Sequence, residues 1–347
     1  MEFTNQIKFI SLALILMSGA WSSEATSRTL KDVTMYGRYE QWMVHHGSVF
    51  TSIDEKESRF KIFKENLAYI ESSNNDASKT YRLGVNQFAH LTNEEFTSLS
   101  NGFKGHESST KTSSFRYENV TVPATMDWRS KGAVTPIKNQ GQCVNVTGTQ
   151  ICMCRLLLGI FGSGITQLTT GKLISLSEQE LVDCDKSGED QGCEGGLMDD
   201  AFEFINQNHG LGTEANYPYT GVDGKCNARK EASHAASITG HEDVPANSES
   251  ALLKAVASQP ISVAIDASRS DFQFYSSGVF TGTCGTSLDH GVTAVGYGES
   301  DDGLKYWLVK NSWGTQWGEE GYIRMQRDFD AVEGLCSIAM AASYPTA

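Results

Sequence analysis

Residues 288–298 read LDHGVTAVGYG and residues 305–313 read KYWLVKNSW, and these two stretches decide the fold of the second half of the chain. Residues 291–298 of the first stretch, GVTAVGYG, and the whole second stretch are rich in β-branched and aromatic residues, which is typical of strands. Residues 261–267, ISVAIDA, have the same character. The three stretches predict a β-sheet in this part of the chain.

Two stretches outside this region predict helices. Residues 175–185, SLSEQELVDCD, contain a Ser-x-x-Glu capping box at Ser177 and Glu180, which is typical of a helix start. Nearer the N-terminus, six residues recur at steps of 4, 4, 3, 4 and 4, which places them along one stripe of a helix. This stripe mixes charged, amide and apolar side chains, which an ordinary core-facing stripe does not need. Its members are Glu55, Arg59, Phe63, Asn66, Ile70 and Asn74.

The composition limits the classes of protein to consider. The chain has 347 residues, with 28 Lys and Arg against 42 Asp and Glu, so its formal net charge is −14. At roughly 150 residues per domain, this length predicts two folded units. The acidic excess gives no electrostatic support for binding nucleic acid or phosphate. A 39% hydrophobic content supplies a large core and argues against wholesale disorder.

The first residues have the pattern of a secretory signal peptide. Residues 9–17, FISLALILM, form an apolar run of nine residues, which is too short to span a bilayer. Ser23 and Ala25 follow at an A-x-A-like spacing. We therefore expect residues 1–25 to be removed, with no membrane association afterwards. The alternative is a buried N-terminal helix.

The eight cysteines all lie beyond residue 140, and entry into the secretory pathway permits disulfides. A zinc site needs paired spacings such as C-x2-C. Cys152 and Cys154 are two residues apart, and Cys184 and Cys193 are nine apart, so neither pair fits. We therefore expect disulfides, no metal and no cofactor.

The helical stripe matches, residue for residue, the interrupted E-R-F-N-I-N motif of papain-family propeptides. A second propeptide motif, G-x-N-x-F-x-D, occurs as Gly84, Asn86 and Phe88, with His90 at the aspartate position. From Val122 onward the sequence is similar to a mature papain-like enzyme. The chain therefore resembles the papain-like cysteine peptidases, in particular their plant-type, cathepsin-L-like branch.

The resemblance implies an α+β fold of two lobes, one mainly helical and one an antiparallel β-barrel, preceded by a helical propeptide. We expect a signal peptide at residues 1–25, a helical inhibitory propeptide domain at 35–105 and a linker at 106–121. The peptidase domain is expected at residues 122–347, and within it residues 144–163 depart from the family pattern.

The resemblance also assigns roles in a cleft between the lobes. His290 takes the position of the catalytic imidazole, Asn311 that of the amide that orients it, and Gln140 that of the oxyanion-hole amide. Trp313 would shield the bond between His290 and Asn311 from water. These roles require that a nucleophilic thiol lies beside the imidazole.

The resemblance implies that further residues bind substrate. Two glycines would hydrogen-bond the substrate backbone, and six apolar or small residues would line the pocket for the second residue before the cut. Such a lining implies preference for a bulky hydrophobic side chain, although core packing is the alternative for any one of the six. The glycines are Gly195 and Gly196, and the pocket residues are Leu197, Met198, Ala264, Leu288, Gly291 and Ala341.

The nucleophile of the family is missing. The family pattern continues from Cys143 as G-x-C-W-A-F-S, and Val146 stands at the reactive position. Cys143 and Cys184 are 41 residues apart, about seven more than the resemblance implies. The replacement run TQICMCRLLLGIF, residues 149–161, is compatible with a helix, but misplaced core side chains each cost about 1–3 kcal/mol. We therefore expect the chain as written to be inactive and its helical lobe to be weakened.

Cys152 and Cys154 are the alternative nucleophiles. They lie six and eight residues past the required position, without a following tryptophan, and Ile151 and Met153 flank them. A catalytic thiol must lie about 3–4 Å from the imidazole in a setting that lowers its pKa. We expect these two cysteines to be incidental thiols, bonded to each other or to another chain.

The remaining cysteines and two asparagines are expected to carry covalent modifications. The sequence alone leaves every cysteine pairing open, whereas the resemblance implies the bridges Cys143–Cys193, Cys184–Cys226 and Cys284–Cys336. Asn119 and Asn145 begin N-glycosylation sequons.

His90 replaces the aspartate of the second propeptide motif, and the two side chains respond differently to acid. As the pH falls, an imidazole gains a positive charge at about 6.5, whereas an aspartate loses its negative charge at about 3.9.

The resemblance implies a cysteine-type endopeptidase zymogen that cleaves peptide bonds through an acyl-thioenzyme. We expect a monomer, located in the vacuole, the lysosome or outside the cell, with peptide or protein substrates. Its own propeptide and cystatin-like inhibitors are the other expected partners, and no nucleic acid is expected. The alternative is a catalytically dead papain-fold protein that binds peptides or inhibitors. A third hypothesis is an inhibitor of other proteases that acts through the propeptide.

A splicing or gene-model error would explain residues 144–163. Residues 157–161, LLGIF, are encoded by TTG CTG GGC ATT TTC in one choice of codons, and the same bases shifted by one read Cys-Trp-Ala-Phe. We predict that the main transcript between the codons for Gln140 and Thr170 contains this tetrapeptide in one frame. Sequencing the transcript tests this, and a transcript without such bases in any frame contradicts it.

Overall fold

The computed structural model describes residues 33–100, 103, 115–141, 155–186, 192 and 195–347, without the side chains of residue 100 and residues 155–162. The expected signal peptide lies outside the described residues, as do Cys143, Asn145, Val146, Cys152, Cys154 and Cys193. The chain divides into two compact units, residues 1–68 and 69–347. None of the described helices is long and apolar enough to cross a membrane.

The first unit contains helix α1, residues 33–46, and most of helix α2, Ile53–Asn74. An aromatic cluster fills the space between these helices. The ring of Tyr39 stacks on Trp42 at 5.8 Å and lies 5.2 Å from the ring of Phe63. Both the backbone N–H and the hydroxyl of Thr51 donate to Glu55, at 3.0 and 2.9 Å, and so fix the start of α2.

Helix α2 carries the whole six-residue stripe, so the helix predicted from its spacing is confirmed. Its last residue, Asn74, belongs to the second unit and contacts strand β1, Tyr81–Leu83, within that unit. The side-chain amide of Asn74 donates to the carbonyl of Leu83 at 2.8 Å, and the Leu83 N–H donates back at 2.9 Å. The polar end of the stripe therefore pairs with backbone, which explains why an amide stands there.

The second unit combines short helices with a large sheet. Its helices are α3 (Asn93–Ser100), α4 (Arg155–Thr170), α5 (Glu178–Cys184), α6 (Met198–Gln207), α7 (Ala228–Glu231), α8 (Glu249–Ser258) and α9 (Ser270–Gln273), with a 3₁₀ turn at Leu335–Ser337. Its other strands are β2 (Met126–Asp127), β3 (Gly240–Asp243), β4 (Ile261–Ile265), β5 (Tyr275–Phe280), β6 (His290–Glu299), β7 (Lys305–Lys310), β8 (Tyr322–Gln326) and β9 (Ala342–Thr346). The three predicted strands are β4, β6 and β7, and the predicted capped helix is α5.

The strands pair in the order β1-β5-β8-β7-β6-β4-β9-β3, and β2 pairs with β6. Strands β5 and β8 run parallel, whereas the other pairs are antiparallel. Strands β6 and β7 align Thr293 with Lys310, and their register shifts between Ala294 and Gly296. The predicted α+β class with a largely antiparallel sheet is confirmed.

Two separate apolar clusters confirm the expected lobes. The larger cluster surrounds the sheet and includes Trp307, Trp313 and Trp317. The smaller one gathers around α5 and α6, and its buried members are Leu176, Leu181, Ala201, Phe202, Ile205, Leu211 and Ile238. Helix α4 begins at Arg155, within the altered segment 144–163, and continues to Thr170.

Two of the three expected disulfides lie within the described residues. Cys184 at the end of α5 is bonded to Cys226, and Cys284 is bonded to Cys336. The third expected pair involves Cys143 and Cys193, outside the described residues.

Residues 115–121, expected to be a linker, make specific contacts with the sheet. The guanidinium of Arg116 donates to Glu242 at 3.1 Å. The ring of Tyr117 lies 5.1 Å from Tyr344, and its hydroxyl accepts from Gln259 at 3.0 Å. These residues therefore pack against the sheet, because the ring of Tyr117 contacts the ring of Tyr344. Asn119 is exposed in the same stretch, as a glycosylation site requires.

The capping box at α5 is only half formed. The Ser177 hydroxyl accepts from the Glu180 N–H at 3.1 Å and donates to the Tyr217 carbonyl at 2.6 Å. The Glu180 carboxylate accepts from the Gly212 N–H at 2.9 Å, and the Ser177 N–H instead donates to the Gly212 carbonyl. Burial raises the pKa of Glu180 to about 7. The motif therefore joins α5 to the loop after α6.

We predict that Ser177→Ala lowers the free energy of unfolding by about 2–3 kcal/mol, because a helix cap is lost and the buried Tyr217 carbonyl loses its donor. The matched control is Ser248→Ala at the start of α8. Ser248 caps Ala251 in the same way but is partly exposed, so its loss should cost only about 1 kcal/mol. Urea unfolding measures both, and equal losses would contradict the role of the Tyr217 bond.

Candidate active site

His290 and Asn311 are joined by a hydrogen bond between neighbouring strands. His290 is the first residue of β6, and Asn311 directly follows β7. The distance between His290 Nε2 and Asn311 Oδ1 is 2.9 Å. The backbone N–H of Ser312 donates to the same Asn311 atom at 2.7 Å, which identifies that atom as the oxygen. His290 Nε2 therefore carries the hydrogen, and Nδ1 carries the lone pair.

Trp313 covers this pair. Its ring stacks on the imidazole of His290 with the centroids 4.6 Å apart and an angle of 18° between the planes. His290 is 1% exposed and Trp313 is 2% exposed. The shielding role that the resemblance implied for Trp313 agrees with this geometry, because the stack keeps water from the bond between His290 and Asn311.

Burial decides the charge of the imidazole. It lowers the pKa of His290 to about 4, and the hydrogen bond with Asn311 opposes this shift only in part. His290 Nδ1 is buried and has no hydrogen-bond partner among the residues that the structure describes. His290 is therefore a neutral base at neutral pH, with one nitrogen fixed and the other available to exchange a proton.

Gln140 lies beside this pair. Its backbone N–H donates to the Ser312 carbonyl at 2.9 Å, and its side-chain oxygen accepts from the Ser312 hydroxyl at 2.7 Å. Gln140 thus contacts the residue between Asn311 and Trp313. Because its oxygen is bound, its amide group is oriented as a donor, which suits the expected oxyanion role.

Two lysines that precede the site residues are anchored in the interior. The ammonium of Lys310 donates to the carbonyls of Thr135 and Pro136 at 2.6 and 3.0 Å, and burial lowers its pKa to about 7. Lys138 pairs with the buried Glu178 at 2.8 Å. Burial nevertheless raises the pKa of Glu178 well above its ordinary value. Sequence reasoning missed both lysines, although each stands within two residues of a predicted site residue.

The structure gathers several expected substrate-binding residues around β4. Ala264 is paired with Gly291 across β4 and β6, and its N–H donates to the Ala341 carbonyl at 2.9 Å. The Ser262 hydroxyl contacts the sulfur of Met198 at the start of α6. Ser262 and Ala264 share one face of the strand, so Met198 lies near the small residues. Leu197 and Leu288 are partly buried.

A segment that precedes the peptidase domain, with contacts from residues 87–96 and 103, covers the site; it is called the propeptide segment below. The N–H of Phe103 donates to the carbonyl of Asp289, next to His290, at 2.9 Å, and Phe103 forms a parallel bridge with Gly196. Gly195, with a φ of 99°, and Gly196 are both buried. Of the two glycines expected to bind a substrate backbone, Gly196 thus lies against the chain's own segment.

The aromatic residues of the same segment pack on Trp313. The rings of Phe88 and Phe96 lie 5.7 and 5.2 Å from the Trp313 ring. The side-chain amide of Gln87 donates to the Trp313 carbonyl at 2.7 Å. His90, at the altered position of the second propeptide motif, is 8% exposed and is the last residue of the turn formed by residues 87–90. These contacts explain how this segment is held over the imidazole.

Known families match both parts of the chain. The profile of the papain family cysteine proteases matches residues 122–346, and that of the cathepsin propeptide inhibitor domain (I29) matches residues 39–96. The senescence-specific cysteine protease SAG39 of Oryza sativa subsp. indica is 56% identical over 321 residues, which are 91% of each chain. The senescence-specific cysteine protease SAG12 of Arabidopsis thaliana is 53% identical over 347 residues, 97% of this chain and 98% of that protein.

Solved structures of precursors have the same fold. The recombinant stem bromelain precursor has a TM-score of 0.79 at 42% identity, covering 90% of this chain and 99% of that one. The Amb a 11 cysteine protease, a ragweed pollen allergen, in its proform has a TM-score of 0.80 at 41% identity, covering 90% and 94%.

We predict that the buried neutral imidazole makes the protein less stable in acid. The unfolded chain takes up a proton below pH of about 6.5, whereas folded His290 does so only near 4, so stability falls as the pH falls between these values. When the pH is lowered from about 7.5 to about 4.5, the free energy of unfolding of wild type should fall by about 2.5 kcal/mol more than that of His290→Phe, which keeps a ring under Trp313. Urea unfolding at both pH values measures this, and equal losses would contradict it.

Proposed function

The chain belongs to the papain family of cysteine proteases and is a zymogen with a cathepsin-type propeptide, and we propose that its cleft binds peptides without hydrolysing them. The observation that carries the proposal is the pairing of an intact base with a missing nucleophile. His290 and Asn311 form the hydrogen bond that the chemistry needs, and Val146 stands where the sequence pattern requires cysteine.

Acyl-thioenzyme chemistry needs more than the imidazole. A thiolate attacks the carbonyl carbon of the scissile amide, and an imidazolium then gives its proton to the leaving amine. The negative thiolate is what favours a charged imidazole in an apolar site. In this chain burial leaves His290 neutral, and the side chain of Val146 has no electron pair to donate. The proton donor and the nucleophile are therefore lost together.

Peptide binding does not depend on that thiol. Phe103 bridges to Gly196 and donates to the carbonyl of Asp289, so this part of the cleft already pairs with an extended backbone. The small residues Ala264 and Gly291, with Met198 nearby, support a pocket for a bulky hydrophobic side chain two residues before the position of the cut. These contacts support retained affinity for peptides and for the chain's own propeptide.

The expected route of the protein is part of the proposal. The apolar run at residues 9–17 supports entry into the secretory pathway, and the exposed Asn119 supports glycosylation there. We place the protein in the vacuole or outside the cell, where cystatin-like inhibitors are further candidate partners. Cysteine protease relatives include one named as KDEL-tailed, the endopeptidase CEP2 of Arabidopsis thaliana.

We predict that a thiol-directed epoxysuccinyl peptide does not label the chain in a manner that depends on His290. The full chain is processed in trans by an active papain-family protease, which is then removed, and wild type is compared with His290→Ala by mass spectrometry. Equal, slow labelling of both is expected, because an unactivated thiol reacts without the imidazole. Labelling of wild type that His290→Ala abolishes would show an active nucleophile and overturn the proposal.

A separate experiment tests the proposal that the cleft binds peptides. Calorimetry on the processed His290→Ala protein should detect rebinding of the propeptide, residues 26–121. Met198→Glu should weaken this binding at least tenfold if the propeptide uses the apolar pocket, because a carboxylate is costly to bury there. Glu203→Gln, on the exposed side of the same helix, is the matched control. Absence of rebinding would reject the peptide-binding role.

A further inference from the structure

Asp199, His241 and Asp243 form a cluster outside the cleft. Asp199 lies in the first turn of α6, and the other two residues lie on strand β3. One possible ligand atom from each residue lies within 4.8 Å of the other two, and all three residues are partly buried. Nothing in the mechanism described above uses them.

The fold fixes the direction of these side chains. His241 and Asp243 are two residues apart on a strand, so they share one face of the sheet. Phe202, one helical turn after Asp199, stacks on the imidazole of His241 with the centroids 5.8 Å apart and an angle of 25° between the planes. Helix α6 therefore covers that face, and the stack holds the imidazole in place between helix and strand.

A buried hydroxyl on the same face is an independent observation. Ser343 on β9 is paired directly with Asp243, and directly opposed residues of an antiparallel pair point to the same side. Ser343 is 2% exposed, and its hydroxyl has no hydrogen-bond partner within the described part of the chain. The Oδ1 atom of Asp199 is also buried and has no hydrogen-bond partner within the described part of the chain. Two oxygens without a described partner thus lie in the space between α6 and the sheet.

We propose that Asp199, His241 and Asp243 bind one divalent transition-metal ion, with Zn²⁺ as the best fit and the Ser343 hydroxyl or a water as the fourth ligand. Two carboxylates supply the opposite charge, and an imidazole with carboxylates is a ligand set that Zn²⁺ prefers. Ca²⁺ and Mg²⁺ are disfavoured, because both require more oxygen ligands and take no imidazole.

The geometry requires a small adjustment on binding. Zinc bonds of about 2.0–2.2 Å hold tetrahedral ligand atoms about 3.4 Å apart. The present separations of up to 4.8 Å therefore close by at most about 1.4 Å, within the reach of aspartate rotation. Such closure ties the start of α6 to β3. The simpler alternative is a hydrogen-bonded group of these three side chains without an ion.

Co²⁺ is the probe that tests the site. The full chain without an affinity tag is treated with iodoacetamide, so that free cysteines cannot bind metal, and is titrated with CoCl₂ while the visible spectrum is recorded. We expect saturation at one Co²⁺ per chain, with bands of nitrogen and oxygen coordination and no thiolate charge-transfer band, and displacement by one equivalent of Zn²⁺.

Substitutions assign the binding to these residues. His241→Phe keeps a ring on Phe202, Asp243→Asn keeps the shape of the side chain, and each should weaken Co²⁺ binding at least tenfold. His234→Phe, which removes an exposed imidazole elsewhere, should leave the affinity unchanged. Thermal unfolding without metal checks that the variants fold. No saturable binding, or binding that survives His241→Phe, overturns the proposal in favour of the hydrogen-bonded group.

Discussion

The register between β6 and β7 is the constraint on which the rest of the site depends. Because Thr293 is aligned with Lys310, the start of β6 meets the chain that leaves β7, and His290 reaches Asn311. A shift by one residue would turn His290 to the opposite face of the sheet. The buried ammonium of Lys310 strengthens this register, since three oxygens of the segment 135–136 bind it.

Apolar packing, rather than charge, is what defines the properties of the imidazole. Trp313 covers one face of His290, and Phe88 and Phe96 from the propeptide segment pack on Trp313 in turn. The resulting low polarity keeps His290 neutral and its bond to Asn311 dry. A site of this kind works as an acid–base pair only when a second charge is brought in, and in acyl-thioenzyme chemistry that charge is the thiolate, which we propose this chain lacks.

Local patterns in the sequence predicted local structure well. The spacing of the stripe on α2 and the β-branched stretches of β4, β6 and β7 specify single elements, and periodicity is sufficient for that. The register shift between Ala294 and Gly296, the half-formed cap at Ser177 and the docking of Tyr117 depend on distant partners. The cluster of Asp199, His241 and Asp243 joins residues far apart in the chain, so no motif announced it. The roles of His290, Asn311 and Gln140 came from family resemblance, and only coordinates give the protonation of His290.

The several roles of Trp313 affect which substitutions this protein tolerates during evolution. One indole side chain shields the imidazole, anchors the propeptide segment and fills the core of the sheet with Phe272 and Trp317. On the proposal that the nucleophile is lost, selection on chemistry is relaxed, but selection on folding is not. The arrangement around His290 would then persist as a by-product of the need for a packed interior. An intact hydrogen bond between His290 and Asn311 is therefore evidence of ancestry, and does not by itself show present activity.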